Sequence, residues 1–188
     1  MDVYAHLRIL VSMILGLGIT RILAGLSRML QAPKLRPGTG AHLVWSVAVL
    51  LHCVHFWWFE FAFRQVQVWH FGLYLLILFY AFALFLLASL LFPDVAHDRD
   101  GNEDYFMHRR DWFFAIFAGI FLLDLVDTRV KGADYFAQLG PEYLIRAGLA
   151  VVIAILAAKA RRPRMVTALG LIWIAYDLSW IFRVYDML

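Results

Sequence analysis

Asp124, Arg146, Asp177, His52 and His55 are ionisable side chains set well inside long apolar runs. That setting makes them candidates for chemistry. A charge held in hydrocarbon costs several kcal/mol unless it is paired or wet, so such groups face a bundle interior or a water-filled cavity. A helix rises ~1.5 Å per residue, and successive runs must alternate in direction. On that arithmetic Asp124, Arg146, Asp177 and His55 fall at one level, about 8–12 Å from one face of the hydrocarbon layer. Ser12 and Tyr74 fall at a similar level, and His52 lies one turn nearer the middle. A guanidinium can bridge two carboxylates, so Arg146 is the natural partner of both Asp124 and Asp177.

Two uses fit such a layer. One is a buried Asp–Arg–Asp network that locks the helices. The other is an ion or proton pathway through Asp124, Asp177, Arg146, His55, His52 and Tyr74, in which the carboxylates exchange a proton or cation, Arg146 tunes them and the histidines pass the proton onward.

Arg21 sits apart, roughly 13 Å from the opposite face, where no acid in another run shares its level. With Arg28 it is a candidate for an anion or a lipid head group, or it snorkels to the surface. The same run carries Ser12, Gly16, Thr20 and Ala24, a four-residue spacing of small side chains expected to pack a helix closely. Gly18, Arg21, Gly25 and Arg28 form a second face.

These residues are carried by six apolar stretches, at 7–30, 41–63, 69–92, 111–128, 141–159 and 165–186, each near the ~20 residues that cross a ~30 Å core. The chain has 188 residues, 63% hydrophobic and 16% charged, with mean hydropathy +0.73. So few charges could not cover so much apolar surface in water. The runs are continuous and lack the alternation of barrel strands, which leaves helices. The expected fold is all-α: a polytopic integral membrane protein with six transmembrane helices in one bundle and a single domain over 1–188. An interfacial segment is expected at 93–110.

Connections after the first, third and fifth runs, with their flanks, hold ten Lys and Arg: Arg28, Lys34, Arg36, Arg99, Arg109, Arg110, Lys159, Arg161, Arg162 and Arg164. The opposite side holds five, Arg8, Arg64, Arg129, Lys131 and Arg183. The bias predicts a multi-pass protein of the cell's inner membrane with both termini outside. The net charge of +3 and pI near 9.2 are then explained by loop orientation and anionic lipid, and no nucleic-acid partner is expected. Met1-Asp2-Val3-Tyr4 has no basic segment or cleavage site of a signal peptide, so the first run is expected to be retained. Cys53 is the single cysteine, which rules out an internal disulfide.

Further along, Pro and Gly at 31–40 read as a turn, and Asn102 followed by Glu103 and Asp104 as a helix start. Three runs on either side of the long connection would allow an inverted repeat. Glu60 and Arg64 read as an i,i+4 surface pair.

Motifs that would name a reaction are missing. Asp98-Arg99-Asp100-Gly101-Asn102 begins like a calcium loop, but Glu103 and Arg109 stand where Gly and Glu are required. No Walker loop or nucleophile elbow occurs, so an enzyme is not expected. His52 and His55 have metal-capable spacing but too few companions for a metal site. No cofactor is expected, with haem as the alternative; its axial ligands would have to come from these histidines or His70. The run Gly16-Leu17-Gly18-Ile19-Thr20-Arg21, Trp57-Trp58, and the stretch from Tyr105-Phe106 to Phe114 resemble small bacterial inner-membrane proteins and imply no particular function. The leading expectation is a small proton or ion channel or transporter. The alternatives are a non-catalytic subunit or scaffold that binds other membrane proteins, and a haem-binding redox protein. A bundle this small is expected to form a homo-oligomer or join a larger complex in the lipid bilayer.

Overall fold

The computed structural model describes residues 3–31, 39–66, 69–92 and 102–185. The expected turn at 32–38 and most of the interfacial segment, 93–101, lie outside the described residues, as do the side chains of the Asn102 helix start. The helices are α1 (Val3–Gln31), α2 (Thr39–Phe59), α3 (Phe71–Leu91), α4 (Asn102–Lys131), α5 (Ala133–Gln138), α6 (Gly140–Lys159) and α7 (Pro163–Tyr185). A 3₁₀ segment, Glu60–Gln65, continues α2. The described residues contain no strand.

Among the described residues, five helices are long and apolar enough to cross a membrane: α1, α2 with its extension, α3, α6 and α7. The sixth expected crossing is not among them. Helix α4 has 30 residues, but Asp111, Asp124, Asp127 and Arg129 interrupt its apolar stretch. Its first turns, 102–110, are continuous with the rest of the helix rather than a separate interfacial piece.

The six long helices alternate in direction. The tight pairs are α1 with α3, α3 with α4, α4 with α6, and α2 with α7. Helix α2 runs through the middle, where it also meets α1, α3 and α4. The halves of the chain pack differently: α1 passes over its neighbour α2 to pair chiefly with α3, whereas α4 pairs with the next long helix, α6. An inverted repeat would have required the same order in both.

Glycine decides two of these contacts. The buried stripe of α1 is Leu7, Val11, Leu15, Gly18, Ile22, Gly25 and Met29, a three-and-four spacing that faces α3. A side chain at Gly25 would overlap the ring of Phe92. Ser12, Gly16, Thr20 and Ala24 lie toward the outside instead: Gly16, Thr20 and Ala24 are exposed, and a Cβ on Gly16 would meet nothing within 4 Å. The close approach expected of that stripe is thus made by Gly18 and Gly25. At the α2–α7 crossing, a Cβ on Gly170 would come 2.6 Å from Val44 and 3.0 Å from the Trp45 indole nitrogen. That indole donates to the Val166 carbonyl at 3.0 Å, which ties the two helices where they touch.

Arginines cap two helix ends where exposed carbonyls concentrate negative charge. Arg21 donates to the Phe92 carbonyl just past α3, at 3.4 Å. Arg110 donates to the Ala158 carbonyl in the last turn of α6, at 2.9 Å.

Candidate functional site

Most of the buried polar residues collect in the half of the bundle that ends at Lys131; His42 and Ser46 lie toward the other end of α2. Arg146 on α6 is the centre of the inner part and is 1% exposed. Its Nε donates to Asp177 Oδ1 on α7 at 2.8 Å. Its Nη1 is 3.6 Å from Asp124 Oδ2 on α4, and its Nη2 is 3.4 Å from His55 Nδ1 on α2. The guanidinium also lies over aromatic faces, 4.4 Å from the Trp180 ring centre and 5.2 Å from that of Phe121. Four helices therefore meet at one side chain. The fork of a guanidinium suits this, because its donors point to several acceptors in one plane.

Tyrosines complete the coordination of Asp124. Tyr80 on α3 donates to Oδ1 at 3.1 Å. The Tyr143 oxygen on α6 is 3.0 Å from Oδ2 and 2.8 Å from the Asp124 carbonyl. One hydroxyl proton serves one of these acceptors at a time, while Thr128, 2.6 Å away, can donate to the Tyr143 oxygen. His52 joins the network through Tyr80, 3.4 Å from its Nε2.

A second group lies about one helical turn closer to the bundle end. Lys131, the last residue of α4, turns inward with a side chain that is 0% exposed. Its Nζ is 2.6 Å from Asp127 Oδ2 and 3.0 Å from Glu60 Oε1. The ammonium also lies 3.6 Å from the Phe59 ring centre and 4.7 Å from that of Phe63, where a cation is attracted to the aromatic face. Gly132, with φ +125°, lets the chain leave α4 abruptly, a conformation that suits glycine.

Glu60 is buried here, where a surface pair with Arg64 was expected. The reason is the 3₁₀ segment that starts at Glu60. At 3.0 residues per turn, positions four apart lie roughly 120° apart around the axis. Arg64 is exposed over the Phe61 ring, while Glu60 faces Lys131. A small pocket of about 30 Å³ is lined by Tyr4, Arg8, Trp57, Glu60 and Phe61 among others, room for very few water molecules.

The structure thus brings together Asp124, Asp177, Arg146, His55 and His52. Tyr74 is half-buried and stacks on Phe71 instead; Tyr80, further along α3, occupies the expected tyrosine position. Sequence reasoning missed Tyr80, Tyr143, Thr128, Lys131 and the burial of Glu60 and Asp127. An inward Lys at a helix end, four residues after Asp127, was the one signal available for the second group.

The other half of the bundle is aromatic. The Trp45 ring lies 4.7 Å from Phe114 and 5.3 Å from Phe117, and Trp173 lies 5.7 Å from Phe117 and 5.1 Å from Phe121. Beyond them His42 sits between Phe92 and Phe106, at 4.4 and 5.5 Å. This layer separates the polar half from the end where α3 stops and α4 begins.

Among the described residues, the buried histidines His42, His52 and His55 all belong to α2, so none of these three faces another from a different helix as a pair of haem ligands would. Among the described residues, no group of three or more His, Cys, Asp or Glu is placed to hold a metal ion. No family model, curated protein or solved structure matches this chain.

Proposed function

We propose that this protein is a small proton- or cation-translocating membrane protein and that the buried polar half is its binding site. On this reading α4 crosses the bilayer with the other five long helices. The protein lies in the inner membrane with both termini outside, as the loop charges favour, and the Glu60 and Lys131 end faces outward.

One observation carries the reading, the balance of charge. Asp124 and Asp177 share Arg146, and Asp127 and Glu60 share Lys131. Each group has two carboxylates to one cation, so the pair of groups has two more acids than bases. A site so buried does not carry that imbalance without compensation. Protons on the acids or histidines, or a small cation, supply the balance. On this reading such a species approaches from the near end, where Glu60 lines a small pocket.

The aromatic layer supports a transporter over an open pore. The packed rings of Trp45, Phe114, Phe117 and Trp173 close the bundle on the far side of His52, so passage requires the helices to rearrange. Asp124 and Asp177 are the exchanging groups in this scheme, Arg146 holds them, and His55 and His52 relay.

The test is flux in liposomes. Protein reconstituted with an imposed potential should move protons or potassium, and Asp124→Asn should reduce flux to that of empty vesicles while still inserting and eluting as the wild type does. Full flux in folded Asp124→Asn, or none from well-incorporated wild type, rejects the reading.

A second reading, a subunit or scaffold that binds another membrane protein or a second copy, is favoured by the outward Ser12, Gly16, Thr20 and Ala24 face. It predicts a fixed partner on copurification and poor behaviour of the isolated chain in detergent.

A further inference from the structure

The end of the bundle away from Lys131 carries a groove that the translocation reading does not use. Its volume is about 530 Å³, between α1, α3 and α4, within the range of small-molecule sites. Two guanidiniums line it, Arg21 from α1 and Arg109 from the first turns of α4. Their distance in sequence hides this association. Arg28, which shares a face of α1 with Arg21, is not part of the lining.

The groove has two chemical ends. Arg21, held by the Phe92 carbonyl at 3.4 Å, Arg109 and Tyr105 lie where α3 stops and α4 starts, which gathers the charged donors at one end of the groove. No carboxylate among the described residues lines the groove. The remaining wall is apolar, with Phe85, Leu86 and Ile116, and Leu86 and Trp112 are exposed on the outer surface of the bundle. An occupant must therefore present an anion to two arginines and hydrocarbon to the adjoining wall. A free inorganic anion satisfies only the first condition.

We propose that this groove binds an anionic glycerophospholipid, with its phosphodiester on Arg21 and Arg109 and an acyl chain along Phe85, Leu86 and Ile116. Arginine is suited to this because its planar donors match two phosphate oxygens at once. Two arginines favour a head group of net negative charge over one that carries its own ammonium. Occupancy fixes α1, α3 and α4 to one another at this end. The inference needs the helices to lie in a bilayer, as the apolar spans indicate, but does not depend on translocation.

Native mass spectrometry of the delipidated protein, titrated separately with phosphatidylglycerol and phosphatidylcholine, tests it. One phosphatidylglycerol should bind in preference to phosphatidylcholine. Arg109→Gln should weaken that binding about fivefold, the worth of roughly one arginine facing anionic lipid. Arg109 is exposed, so this variant leaves packing intact, and Arg28→Gln should bind as the wild type does. Arg21→Gln should weaken binding as well, with a thermal melt to show that α3 is still capped. Equal phosphatidylglycerol binding by wild type and Arg109→Gln overturns the proposal. So does the absence of any preference over phosphatidylcholine, and so does displacement of the lipid by millimolar inorganic phosphate, which would make this a site for a soluble anion.

Discussion

The Arg146 and Lys131 groups have the same composition, two carboxylates around one cation, yet they are built for different degrees of freedom. Arg146 reaches acceptors on three other helices and is walled by Trp180, Phe121 and Trp173. Lys131 is a point charge at a helix end, bonded to an acid on its own helix and to one at the start of a 3₁₀ segment, the latter lining a small pocket. The first arrangement tolerates few geometries, since a planar fork with fixed donors has one good orientation. The second can lengthen, rotate or admit water without losing all its partners. The contrast separates a group whose carboxylates are fixed by many partners from one whose few partners can shift and admit water.

The largest effect should come from breaking the rigid group. Arg146→Met leaves Asp124 and Asp177 buried without their cation, and should cost roughly 3–5 kcal/mol or prevent assembly. Thermal unfolding in detergent and recovery of monodisperse protein measure this. Arg146→Lys should rescue little, because an ammonium cannot span the same acceptors.

Lys131→Met should cost less, about 1–3 kcal/mol, because Glu60 lines the small pocket and can be hydrated. Adding Glu60→Gln should recover part of that loss, a coupling that a double-mutant cycle on unfolding reads directly. A loss as large as that of Arg146→Met would erase the contrast between the groups.

The smallest effect concerns a neutral member. Tyr143→Phe removes a hydroxyl shared by Asp124 and Thr128 and should cost about 1 kcal/mol. The same melts check it, and a larger cost would show that the tyrosine orders the Arg146 group as firmly as the salt bridges do.

The reach of the sequence follows the same contrast. The level shared by Asp124, Arg146, Asp177 and His55 could be found by arithmetic because helical rise is constant and the runs alternate. Glu60 and Lys131 were hidden by their place at the ends of their helices. Each follows a buried residue of its own helix by seven positions, Cys53 and Asp124, which at about 100° per residue puts it on the same inward face; only nearness to the end of the run made them read as surface or loop charges. Tyr80 and Tyr143 were hidden for another reason: in a chain so rich in aromatics, nothing in a tyrosine's spacing tells a hydrogen-bonding ring from a packing one. On α1, the regular Ser12-Gly16-Thr20-Ala24 spacing indicated close approach but not the partner. Phe92, far away in sequence, is what requires Gly25 to remain a glycine.

The charge content of α4 bears on how the chain enters a membrane. A segment with Asp124, Asp127 and Lys131 at one end has little tendency to partition into lipid by itself. Its acids are synthesised before Arg146 and Asp177, so during translation the segment carries charges whose partner has not yet been made. On the six-crossing reading, α4 waits at the lipid–water boundary or beside α3 until α6 emerges, and the two then move inward as a pair. Helix α4 is then committed to the bilayer after its place in the chain order, and its insertion is as much an event of assembly as of partitioning.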